Sequence, residues 1–237
     1  MSTATRDNVP GARKGNVLDF FSGKILQQKK QEQIIRISPE YDGLSILYTN
    51  HHTQKRDTYY SMRILCWGLR ANGDIVALVP WLNKIVPCTD LEDPAEGHWE
   101  GYYDHNTSEI TYNPPPHKVA ELQSAANYFS TKDDDIESVL QEIPDTIGTH
   151  AMLTCGDDKT LLLTEVLSWR LYNNGFIEAM LIDDEKITQT PVLPGDPCLY
   201  RASHNSDFRY FFQHHIANQI KAEHPDAIHA ISLLLDD

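Results

Sequence analysis

Apolar and polar positions alternate most clearly between residues 34 and 88. Ile35 and Ile37, then Leu44, Ile46 and Tyr48, repeat with the period of two that marks strands, with 38–43 as the turn between them. Residues 60–69 and 75–82 flank Asn72-Gly73, a dipeptide that favours tight hairpins because both central positions then take positive φ. Ile64 and Cys66 on one side, with Leu65, Trp67 and Leu69 on the other, leave these strands no polar face. Such strands belong in the middle of a sheet covered on both sides. A second, more exposed hairpin is expected from 99–103 and 109–112, and Pro114-Pro115-Pro116 stops it.

Helical spacing recurs in four places. Val17, Leu18, Phe21 and Ile25 predict an amphipathic helix over 17–31. Val119, Leu122, Ala126 and Phe129 place another after the prolines. Asp134 as N-cap, with Glu137 three residues on, opens a third ahead of Ile136, Val139, Leu140 and Ile143. Phe208, Phe212, Ile216 and Ile220 define the best of them, running to 222 before Pro225. Turn clusters at 156–158, 173–175 and 183–185 separate the strands of an antiparallel meander. Within it, 160–172 fits a strand, or a helix through Leu163, Val166, Leu167 and Leu171 capped by Asn174-Gly175. The expected fold class is α+β: mainly antiparallel sheet built from hairpins and a meander, packed with several helices including a C-terminal amphipathic one. Residues 1–15 read as a flexible basic tail and 16–237 as a single α+β domain, with a candidate subdivision near 113–117.

Charge changes this picture. The chain carries 20 Lys and Arg against 34 Asp and Glu, a formal −14. Residues 1–36 hold seven basic and three acidic side chains, which leaves 13 basic and 31 acidic side chains in the remainder. A body so acidic disfavours nucleic acid and points to a protein partner with a basic surface. The contrast between the ends makes self-association through the N-terminal segment a further expectation. No apolar run reaches the length of a membrane span, and residues 1–15 lack the apolar core of a secretory signal, so a cytoplasmic location is expected. Cys66, Cys88, Cys155 and Cys198 are far apart and form no C-x-x-C pair, which fits free thiols.

Candidate chemistry is sparse. Phosphate-binding glycine loops, an H-E-x-x-H helix and a zinc-ligand spacing are all absent from the sequence, and no cofactor is expected. His98 and His105, flanking the second hairpin, are the metal candidates, outweighed by ordinary solvated or core histidines. Cys198, His204 and Asp207 are the catalytic candidates, although Asp207 is better explained as the N-cap of a helix starting at Phe208. Trp99, Tyr102, Tyr103 and Tyr112 gather on the second hairpin and could contact a ligand or partner. The expected function is a non-catalytic acidic interaction or regulatory protein. Its alternative is a hydrolase with a site assembled from scattered His, Asp and Cys around 98–109 or 198–215.

Overall fold

The computed structural model describes residues 31–50, 58–91, 99–124, 137–155, 160–183, 186 and 196–213. They form fourteen strands, the helix α1 (Pro116–Ser124) and two single-turn 3-10 helices. The strands make three antiparallel sheets. The middle sheet has the order β1 (Ile34–Pro39), β4 (Cys66–Arg70), β5 (Ile75–Trp81), β6 (Lys84–Pro87). The front sheet runs β3 (Thr58–Arg63), β2 (Leu44–Asn50), β7 (Trp99–Asp104), β8 (Glu109–Thr111). The back sheet runs β13 (Leu199–Arg201), β12 (Ile177–Ile182), β11 (Thr160–Tyr172), β10 (Thr149–Cys155), β14 (Phe208–Gln213), and β9 (Val139–Pro144) also pairs with β11.

The middle sheet is buried on both faces, as the unbroken apolar runs predict. Along β5, Val76 and Leu78 enter one core with Trp169, Leu171 and Leu181 of the back sheet. Ala77 and Val79 enter a second core with Ile46, Met62 and Tyr102 of the front sheet and Leu122 of α1. The partition differs from strict alternation just ahead of β4. Ile64 and Leu65 link β3 to β4 outside any strand, so Leu65 and Cys66 share the back core while Ile64 and Trp67 share the front one. The hairpin between β4 and β5 also departs from expectation. Only Gly73 has positive φ, +95°, and it closes a three-residue loop bridged by Gly73 N–H to Arg70 O (2.9 Å).

The expected α+β packing with several helices is overturned: the fold is mainly β. Phe208–Gln213, predicted to open the C-terminal helix, is strand β14 on β10, and Ile216 and Ile220 lie outside the described residues. The residues read as the body of a helix after Asp134 form β9, while 160–172 settles as the long strand β11. Each of these strands carries a register shift. A β-bulge inserts an extra residue and shifts the side-chain phase, so positions three apart come to share a face. Register shifts fall between Met152 and Leu153 opposite β14, between Val166 and Ser168 in β11, and between Ile34 and Arg36 in β1. Phe208 and Phe211, Val166 and Trp169, and Ile34 and Ile37 accordingly meet the same core at helical spacing. β9 ladders with β11 and skips Leu140, and its Gln141 amide donates to Ile37 O (2.6 Å) and accepts from Ile37 N–H (3.0 Å).

α1 follows the triple proline as predicted, although Ala126 and Phe129 lie outside the described residues. Its inward positions are Leu122 and Lys118, both buried. Lys118 Nζ donates to Pro39 O (2.7 Å) and Ser38 Oγ (3.1 Å), and Ser38 Oγ donates to Glu121 Oε1 (2.8 Å). Glu40 closes the crossover from β1 to β2: one carboxylate oxygen accepts from Leu44 N–H and Asp42 N–H, the other from Trp67 Nε1–H. Gln31 and Glu32 are helical, and the earlier part of the helix predicted over 17–31, with the tail over 1–15, lies outside the described residues.

Substituting either side of the middle sheet tests this architecture. Leu78→Ala should cost about 2–5 kcal/mol through the cavity it opens in the back core, and Val79→Ala should destabilise the front core. Both should move one common transition in urea, followed by tryptophan fluorescence and circular dichroism. Two separable transitions, each sensitive to only one substitution, would contradict a sheet shared by both cores.

Candidate functional site

The aromatic hairpin β7–β8 is held at its tip by polar contacts. Asp104 Oδ1 accepts from Asn106 N–H (2.7 Å), Ser108 N–H donates to Asp104 O (2.8 Å), and Asn106 Nδ2 reaches Asp42 O (3.0 Å). Those amides, Asn106 first and Thr107 with it, hold the Asp104 carboxyl below the usual carboxylate range. Its contribution to the hairpin is therefore complete at neutral pH and fades only as acid titrates it.

The four predicted aromatics separate between core and surface, and a bulge at Glu100, where the β2–β7 register skips a residue, puts Trp99 on the core side with Tyr102. Tyr102 is buried in the front core, its ring 5.0 Å from Trp67 and 5.1 Å from Trp99, with its hydroxyl 3.7 Å from Cys88 Sγ. Burial pushes both that hydroxyl and the Cys88 thiol above their ordinary ranges. Trp99 is half-buried against the same core and donates its Nε1–H to Gly101 O (3.0 Å). Tyr103 points the other way, paired across the sheet with Ser45 of β2 and Ile110 of β8. Ile110 and Tyr112 are exposed, 49% and 67%. Gly101 makes this surface, because a Cβ there would lie 2.7 Å from Ile110 Cγ2 and 3.5 Å from Tyr112 Cε1, and its φ is +145°. The outer face of the front sheet thus presents Tyr103, Ile110 and Tyr112 together, while Trp99 and Tyr102 serve the core.

Of the metal candidates, His98 lies outside the described residues. His105 packs edge-on to Tyr103 (4.9 Å) and its Nε2 is 2.8 Å from Ser45 Oγ. Among the described residues no group of three or more His, Cys, Asp or Glu is placed to hold a metal. The pair with Ser45 resembles a nucleophile and its base, yet Ser45 is buried and no described carboxylate orients the other ring nitrogen. Ser45 went unnoticed in the sequence because only the β2–β7 register brings it to His105.

The catalytic candidates do not converge. Cys198 is buried beside β13, and its carbonyl accepts from Asp183 N–H (2.9 Å). His204 ends the 3-10 turn Ala202–His204, near the Glu137–Arg201 ion pair (2.8 Å). Asp207 caps no helix. Its N–H donates to Asn205 Oδ1 (2.9 Å) and its carbonyl accepts from Thr154 N–H (2.9 Å), which makes it the turn into β14. Ser38 with Lys118 is no better placed, being buried with its hydroxyl hydrogen committed to Glu121.

A cleft of about 450 Å³ opens at one end of the back core, between the middle sheet and the β11–β12 turn. Arg70, Asp90, Ile85 and Phe176 are among its walls, and none of them stood out in the sequence. No protein-family model matches the chain, and no curated protein or solved structure does either. The functional reading therefore rests on these geometries.

Thiol reactivity tests Cys198 as a nucleophile. Cys66, Cys88 and Cys198 are all buried, and burial raises the Cys66 and Cys88 thiols further out of reach. In the native protein, iodoacetamide should alkylate these three only at the rate of unfolding, as read by peptide mass mapping. Prompt native alkylation of Cys198 would restore it as a nucleophile candidate.

Proposed function

We propose that the chain is a non-catalytic interaction protein that binds a basic protein partner through the outer face of its front sheet. The observation that carries this reading is the row of half-buried Tyr103 with exposed Ile110 and Tyr112, spread over Gly101. Solvent-facing aromatic and aliphatic side chains grouped in this way are the usual anchors of protein interfaces. The surrounding charge selects the partner. Glu100, Asp104 and Glu109 belong to the same hairpin, and between Trp99 and Ser124 the one Lys or Arg is Lys118, whose charge is buried against β1. Arginine stacks on tyrosine and pairs with carboxylates, so an Arg-rich segment with interspersed apolar residues fits both features. No described helix is long and apolar enough to cross a membrane, and the proposed setting is the cytoplasm.

A second reading draws on one contact, Ser45 Oγ to His105 Nε2 at 2.8 Å, and makes the same face a hydrolase. Labelling by a fluorophosphonate that Ser45→Ala abolishes would favour it.

The binding reading is tested with a fluorescent peptide of alternating Arg and Leu, measured by anisotropy on the full chain. Affinity should fall as salt rises, and Ile110→Ala with Tyr112→Ala should weaken it by about fivefold or more, the scale of anchor residues. A matched Ser-Leu peptide should not bind. Binding that ignores both salt and the two substitutions would overturn the proposal.

A further inference from the structure

The cleft between the middle and back sheets is independent of the hairpin face, and its chemistry is more specific. Its floor is apolar: Ile34, Leu78 and Ile85 from the middle sheet, and Ile177 from β12. Its volume, about 450 Å³, falls within the range of small-molecule sites. Close packing fixes its wall, since Gly175 has φ +84° and a Cβ there would stand 2.5 Å from Gln33 Cγ. The Gln33 amide donates in turn to Asn173 O (2.5 Å). Phe176, 67% exposed, stands at the mouth.

Polar residues line the same space: Glu32, Gln33, Arg70, Asp90 and Asn174. Arg70 ends β4 with its side chain 16% exposed; its Nε is shielded from solvent and has no hydrogen-bond partner among the described residues. Its Nη2 lies 3.6 Å from Asp90 Oδ1, too long for a good hydrogen bond. An unpaired buried guanidinium N–H is a standing cost that an acceptor removes. The guanidinium fork is shaped to give two parallel hydrogen bonds to one carboxylate. Asp90 and Glu32 set the opposite requirement at the rim, where their charges repel a dianion and favour an ammonium group. Arg70 and Asp90 are close enough for a carboxylate and an ammonium on a single carbon to meet both.

We infer that this cleft binds a zwitterionic α-amino acid with an apolar side chain. Arg70 takes the carboxylate, Asp90 the ammonium, and Ile34, Leu78 and Ile177 the side chain, with Phe176 closing over it. The site is separate from the proposed partner face, so either can fail without the other.

Calorimetric titration of the full chain with L-leucine and L-phenylalanine tests this. At least one should bind saturably at one site. The deaminated analogue 4-methylpentanoate and the decarboxylated analogue isopentylamine should each bind about tenfold more weakly or worse, as expected for a lost charged hydrogen bond. Arg70→Lys should weaken amino-acid binding by a similar factor. Asp90→Asn and Phe176→Ala, at more exposed positions, should weaken it while leaving the thermal midpoint unchanged, which covers the case of an unfolded Arg70 variant. Tyr112→Ala should leave it intact. Absence of binding at millimolar ligand, binding indifferent to Asp90 and Phe176 substitution, or equal binding of 4-methylpentanoate would overturn the inference.

Discussion

Everything in this fold depends on a sheet with no wet side. β4 and β5 present Cys66, Trp67 and Leu69, then Val76, Ala77, Leu78 and Val79, all buried, to two cores at once. Such strands are stable only when a second layer covers each face. The front and back sheets supply those layers, and each gains from the middle sheet the apolar partner it needs. The polar devices of the chain cluster where this arrangement is under most demand. Glu40 ties the crossover out of β1 to Trp67, and Lys118 and Ser38 fasten α1 over the front core. Arg70, the polar end of β4, falls where the back core opens. The cleft is thus the place where the sandwich stops closing on itself.

The buried middle sheet was legible in the sequence because its signal was local: two apolar runs about a turn with Asn72-Gly73. The bulged strands β9, β11 and β14 were not. Phe208 and Phe211 or Val166 and Trp169 look helical because an inserted residue moves them into phase with the core, and periodicity cannot distinguish that from a helix. The N-capping pattern at Asp134 and Glu137 was outweighed downstream, where β9 pairs with β11 and Gln141 reaches Ile37 across 104 residues of chain.

The candidate sites were legible in part. The sequence located the aromatic hairpin, but assigning Tyr102 to the core and Tyr103 to the surface needed the register with β2 and β8. Arg70 and Asp90 could not have been paired from sequence, since each looks like an ordinary charge at the end of a strand or turn. The same holds for Ser45 and His105, 60 residues apart. Charged residues carry their meaning in what surrounds them, and that information is tertiary.

Native-state hydrogen exchange measures the central claim most directly. The amides paired between β4 and β5, Trp67 to Leu69 against Ile75 to Ala77, should exchange only through global unfolding, at the slowest rates in the chain. Those of the edge strands β8 and β13 should exchange earlier through local opening. Exchange of the β4–β5 amides as fast as those edges would contradict a middle sheet sealed on both faces.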